Sequence, residues 1–178
     1  MTDRDLQQKR ITAALIDIAV VIAIYIAFFV VSLVLGLGVG SATSSSMVST
    51  YVPRILGFLG SVIILGYILG RDVVAGDRSI GKKIQDIRVV KANGAPIDYM
   101  DSARRNGIFA IGAALGLLSS TLQLVPCLGD VVTCLLMPLI VLGAVVSIGA
   151  AIYEILQITQ HPEGIRFGDK TAGTRVIR

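Results

Sequence analysis

Apolar and polar positions alternate along this chain on a scale far too coarse for a strand. The first apolar run, Ile11 to Leu35, follows Lys9-Arg10 and contains a single charge, Asp17. Its 25 residues extend about 37 Å as a helix, enough to cross a bilayer core of about 30 Å with some tilt. A second run goes from Pro53, placed for a first helical turn, to about Gly70. A third covers about Ile108 to Val125, and a fourth Val131 to about Ile158, where Pro138 predicts a kink. The pattern predicts an all-α membrane protein with four transmembrane helices, over about 11–35, 53–70, 108–125 and 131–158.

The connections are read in the same way. Helix 1 is expected to end in Gly36-Leu37-Gly38-Val39-Gly40, and the uncharged Ser-Ala-Thr-Ser-Ser-Ser-Met-Val-Ser-Thr stretch after it to form a flexible exposed loop. Arg54, at the outer edge of helix 2, is expected to snorkel to headgroups. Gly66-xxx-Gly70 and Gly112-xxx-Gly116 suit close helix packing. The substantial polar stretch is the loop 71–105, with eight basic residues: Arg71, Arg78, Lys82, Lys83, Arg88, Lys91, Arg104 and Arg105. Within it Ile84 to Lys91 reads as a strand and Asn93-Gly94 as a turn, predicting a small β-hairpin between helices 2 and 3.

Charge fixes the expected orientation. Three Lys or Arg precede helix 1, eight lie in the 71–105 loop and four in the tail, against Arg54 on the opposite side. By the positive-inside rule both termini and the loop should be cytoplasmic. Composition agrees with a membrane chain: 54% of the 178 residues are hydrophobic and 16% charged, against about 25% charged in soluble domains. The length suits one domain, 1–178. The first run is too long for a signal-peptide core and is read as a retained helix. Cys127 and Cys134 read as small apolar residues, and His161, before Pro162, as a helix-end residue. No Ser-His-Asp, Cys-His or metal-ligand cluster is visible, so no enzyme, metal or cofactor is expected; nor is a nucleic-acid partner.

Asp17 is the feature that demands an explanation, because an Asp near the centre of a spanning helix costs roughly 2.5–3.5 kcal/mol on insertion scales. Arg10 lies seven residues away, about 20° around the helix, on the same face. Glu154 lies near the same membrane face on helix 4. With Arg104 and Arg105 at the mouth of helix 3, these acids could exchange a proton for a cation. The structural alternative is an Arg10–Asp17 clamp that pins helix 1, with Glu154 at the wet edge. Gly76-Asp-Arg-Ser-Ile-Gly81-Lys82-Lys83 fits GxxxxGK but lacks the hydroxyl that should follow the Lys, so nucleotide binding is not expected. The basic loop instead suits anionic lipid.

These residues resemble the RDD family of bacterial membrane proteins, named for one Arg and two Asp. Arg10 and Asp17, within Lys9-Arg10-Ile-Thr-Ala-Ala-Leu-Ile-Asp17, match the family's Arg and first Asp. Gly168-Asp169-Lys-Thr-Ala-Gly173-Thr174-Arg175-Val176 resembles its closing pattern, making Asp169 the second Asp. Ser79-Ile80-Gly81-Lys82 resembles the family's Thr-Pro-Gly-Lys, with Ser79 and Ile80 as departures, and Ala103-Arg104-Arg105-Asn106 its basic lead into the next helix. The resemblance implies a bacterial inner-membrane, multi-pass protein for which transport has been suggested. It carries the expectation of antiport between H+ and a monovalent cation such as Na+, with Asp17, Arg10 and Glu154 as the binding residues. The tail strand Thr174 to Ile177 is expected to pair with the 84–91 strand and bring Asp169 to Arg10 or Arg104. Transport through four helices would call for a homodimer. The rival expectation is a non-transporting scaffold or accessory subunit that binds a partner or anionic lipid through the 71–105 loop. The lack of a clear internal repeat favours that rival.

Overall fold

A computed structural model describes residues 3–42, 46–126, 128–160 and 165–177. The expectations for Cys127 and for His161-Pro162 fall outside these residues, while Cys134 is exposed and unbonded. The first apolar run forms the middle of α1, Asp3–Ala42, which is longer than expected at both ends. It runs on through Gly36 to Gly40 because an unpaired backbone group in hydrocarbon costs several kcal/mol, more than glycine's weak helix propensity. For the same reason α2, Ser46–Gly70, starts seven residues before Pro53 and takes that proline inside the helix. Met47 to Thr50, expected to lie in a loop, are therefore helical.

The third run is broken. A capping box, Asp98 with Asp101, starts the polar helix α4, Tyr99–Asn106. A 3-10 turn over Gly107–Phe109 then leads into α5, Ala110–Leu122. Beyond a turn, α6 spans Gly129–Gln160, close to its predicted limits. Stretches long and apolar enough to cross a membrane lie within α1 (Arg4–Leu35), α2 (Met47–Gly70) and α6 (Cys134–Gln160). The 13-residue α5 is shorter.

These helices pack along one seam, where Ile64 and Ile68 of α2 meet Ala110 and Ala113 of α5, with Val21 and Ile24 of α1 beside them. Helix α5 lies on α6 where Gly112 faces Gly143: a Cβ on Gly112 would stand 3.2 Å from the Gly143 carbonyl. The partner glycine of each predicted pair does something else. Gly116 and Gly66 have open space, and Gly70 makes room for the Tyr99 ring, 2.7 Å from where a Cβ would sit. Arg54 reaches inward rather than to headgroups, donating to the Gln123 carbonyl at 3.1 Å where α5 ends. Phe29, Val34, Leu135 and Ile148 face outward, as lipid contact requires.

A polar cap sits at the end where α1 begins and α2 and α6 finish. It contains α3 (Ile80–Ile84), β1 (Arg88–Lys91), α4, and the tail elements α7 (Phe167–Ala172) and β2 (Thr174–Ile177). The predicted strand keeps only its second half as β1, because α3, capped by Ser79 accepting from the Lys82 amide, runs to Ile84 and Gln85-Asp86 form a turn after it. The tail strand does pair with β1, antiparallel, with Val89 opposite Val176 and Lys91 opposite Thr174. The predicted hairpin is thereby reduced to a turn. Gly94, at φ +85°, donates to Lys91, but the return leg makes a single bridge, Val90 to Pro96, since proline has no N–H for a ladder.

The cap's apolar core, Ile87, Val89, Ile97 and Val176, closes on Ala13 of α1. Gly81 makes that closure possible, because a Cβ there would run into the Ala13 carbonyl. Gly81→Ala should therefore cost about 1–3 kcal/mol or break the cap's docking. Gly66→Ala should be neutral or stabilising, as alanine is the better helix former. Thermal unfolding of the two variants in detergent checks the contrast.

Candidate functional site

Where the cap meets the helices, the chain buries a cluster of charges. Helix α1 supplies Arg10 and Asp17 from one face, as their spacing dictates, and both are buried. They do not clamp each other. Arg10 Nη2 donates to Asp169 Oδ2 at 2.5 Å, while Asp17 accepts from Ser79 Oγ at 2.6 Å and the Gly81 amide at 2.8 Å. Each α1 residue thus holds a different part of the cap: Arg10 the tail, and Asp17 the turn after α2.

Asp169 is the most heavily contacted acid. Besides Arg10, it receives Arg105 Nη2 at 2.7 Å, Arg166 Nη2 at 3.4 Å and the Arg166 amide at 3.2 Å. Its place in the first turn of α7 aims it inward, and Gly168 lets α7 approach, since a Cβ there would lie 2.5 Å from the Arg105 carbonyl. A second centre forms on Asp72, immediately after α2. Lys82 Nζ, Arg105 Nε at 3.3 Å and Asn106 Nδ2 at 3.0 Å surround it. Arg105, only 1% exposed, bridges the two centres. Glu154 is buried as well, not at a wet edge, with Gly168 N–H at 2.9 Å and Arg166 Nη1 at 3.0 Å. Arg104 points outward and is exposed; Arg105 takes the partnership proposed for it.

Burial would raise the Asp169 carboxyl, but Arg105, Arg166 and Arg10 hold it well below the usual carboxylate range. Asp72 is held low in the same way, against burial, by Lys82, Arg105 and Arg71. Burial draws Lys82 down to about 7, with Asp72 opposing and Arg105, Arg166 and Arg71 adding to the shift. Among the described residues no group of His, Cys, Asp and Glu is placed to hold a metal. A cavity of about 20 Å³ lies inside the cluster, bordered by Arg10, Asp17, Lys82, Arg105 and Arg166.

The order of these residues along the chain can now be compared with known proteins. A model of the RDD family matches residues 7–173. The chain belongs to the RDD family. Comparison with curated proteins and with solved structures gives no match. In this RDD protein the Arg and two Asp taken from the family resemblance are not one triad. Arg10 meets the second Asp, and the first Asp meets the Ser79-Gly81 turn.

Sequence reading missed Asp72, Arg166, Ser79 and Asn106 as cluster members. Two of them left a trace: Arg71-Asp72 sits at the abrupt polar end of α2, and Arg166 lies one turn before Asp169. Of the eight basic residues in the 71–105 loop, Lys82 and Arg105 are buried in the cluster and half-buried Arg71 borders its cavity.

Asp169→Asn leaves three guanidinium groups without their common counter-ion and should destabilise the protein by about 3–5 kcal/mol. Arg104→Ala should stay within about 0.5 kcal/mol of wild type; denaturation in detergent measures both. Because Asp169 and Asp72 have folded pKa values below the unfolded one of about 3.9, the stability they contribute is complete above that value. It is lost as pH falls through the lower folded values, at about 1.4 kcal/mol per unit for each carboxylate. A melting series from pH 6 to pH 3 should fall steeply below about pH 4, and less steeply in Asp169→Asn.

Proposed function

We propose that this RDD protein is a four-span, inner-membrane scaffold in which the charge cluster clasps a cytoplasmic cap onto the helices. The topology rests on two points. The start of α1, the cap and the tail share one end of the bundle, the end carrying almost all the Lys and Arg. The 3-10 turn and α5 together extend about 26 Å, close to a bilayer core, and so serve as the fourth crossing. The observation that carries the scaffold reading is charge saturation. All four buried acids, Asp17, Asp72, Glu154 and Asp169, already face donors or cations. Among the described residues the cluster's five cations outnumber them, so an incoming Na+ meets repulsion; Glu154 Oε2, which has no hydrogen-bond donor, is still paired with Arg166 Nη1 at 3.0 Å.

The outward side of the cap suits anionic lipid. Lys83, Arg88, Arg104 and Arg175 are exposed, and Ile84, Tyr99 and Met100 stand exposed close to Lys83 and Arg104 in sequence. Basic and amphipathic residues side by side favour a headgroup interface, at about 1 kcal/mol per cation.

One observation favours cation/proton antiport instead. Asp17, alone of the four acids, has only neutral hydrogen-bond donors, and it borders the cavity. Release of the Ser79-Gly81 turn would free it to take a proton or a cation, with Arg10 and Glu154 near by. The experiment is pH-dye flux in proteoliposomes with Na+, Li+ and K+ pulses, wild type beside Asp17→Asn. The scaffold reading expects no cation-driven proton movement. A response lost in a folded Asp17→Asn protein would replace it with antiport.

A further inference from the structure

The clasp leaves one charge over. Arg10, Arg71, Lys82, Arg105 and Arg166 all border the 20 Å³ cavity, and Asp17 is the single acid among its lining residues. Counting also the acids behind it, Asp72, Glu154 and Asp169, five cations face four carboxylates among the described residues. Asp17 is itself engaged, with each oxygen accepting a hydrogen bond from the Ser79-Gly81 turn. Arg71 meets Asn106 at 3.0 Å and the Phe109 ring at 5.3 Å rather than a carboxylate.

Donor capacity is also left over. Arg166, 7% exposed, has no hydrogen-bond acceptor for its Nε. Arg105 Nε and Nη2 lie at ion-pair distance from Asp72 and Asp169 but outside hydrogen-bonding geometry. Buried guanidinium donors of this kind normally find a partner. Arg10, Lys82, Arg105 and Arg166 are buried and Arg71 is half-buried, and charge enclosed to that degree is costly unless it is neutralised.

We propose that this cavity binds one small inorganic monovalent anion of chloride size, held by Arg10, Arg71, Lys82, Arg105 and Arg166. The volume suits a single water-sized particle, which admits a halide and excludes sulfate, phosphate and organic acids. The anion completes the charge balance, five cations against four carboxylates and one halide. Lys82 supports the assignment: burial with Arg105, Arg166 and Arg71 around it, against Asp72, already draws it down to about 7. Losing that proton is the cluster's other route to neutrality, and a bound anion removes the need for it. The inference goes beyond the clasp and stands whether or not the protein moves cations.

The test is thermal unfolding of the purified full chain at pH 6, with chloride or bromide exchanged for gluconate at constant ionic strength. Wild type should melt about 2–6 °C higher in saturating chloride or bromide than in gluconate. Arg71→Gln, which removes the excess charge, should lose that difference. Asp17→Asn, which removes the one lining acid, should reach half-saturation at a chloride concentration at least about tenfold lower. Equal melting of wild type in chloride and gluconate overturns the proposal whatever the variants do. A halide effect unchanged in both variants overturns it too, by assigning the effect to the surface. Proton flux reads neither quantity, so failure here is distinct from failure of the scaffold reading.

Discussion

An ion pair at the end of a membrane helix holds this molecule together: Arg10 of α1 against Asp169 of the tail, 159 residues apart. Neither charge would be tolerated alone in so dry a place. Their pairing brings α7 down onto α4, sets β2 beside β1, and delivers Arg166 to Glu154 on α6. Four segments distant in sequence converge because one carboxylate has more than one guanidinium to satisfy. Asp17 does the same for the turn after α2, through hydrogen bonds rather than charge. Helix α1 is thus the mast, with one hook for the tail and one for the loop.

Such pairs are poor sources of net stability, because desolvation offsets most of the Coulomb gain. Their value is in what their loss would cost, and in what they exclude. An Asp169 displaced by one helical position would face away from Arg105, and three buried cations would lose their common partner. The penalty falls on every arrangement but one. Gly81 and Gly168 sharpen the selection, because each lets backbone pass where a side chain would collide with Ala13 or Arg105.

Much of this could be read from residues, and the division is physical. Long apolar runs identify membrane helices because hydrocarbon imposes one solution on the backbone, so α1, α2 and α6 were plain. Their ends were not, since the same constraint carries a helix through Gly36–Gly40 and past Pro53, where soluble-protein punctuation predicts a stop. The family pattern singles out Asp169, and the expected pairing of the tail strand with the 84–91 segment brings it to Arg10 or Arg104; Arg10 is the partner found, with Arg105 in place of Arg104. The Arg10–Asp17 pair failed for an instructive reason. Helical spacing says which residues share a face, but partner choice depends on which donors the rest of the chain delivers there. Ser79 and Gly81 reached Asp17 first, and no periodicity in α1 could announce them.

The use of charge at this junction follows from where the cap must attach. Inside a bilayer, apolar contact between segments carries little directional preference, because lipid tails offer the same surface. At the membrane boundary, Leu6 and Ala13 could pack against the Ile87-Val89-Val176 core in several registers at similar cost. Directional donors and acceptors separate those registers by whole hydrogen bonds. Specificity at a membrane surface is therefore most economically built from a few buried polar contacts on the helix that enters the bilayer. The excess of cations over acids then follows from geometry: Asp169 and Asp72 need more than one donor each to fill their oxygens, and Arg105 can serve both only with Arg10, Arg166 and Lys82 completing the shells. Saturating acids with multivalent guanidinium groups therefore overshoots neutrality among the described residues.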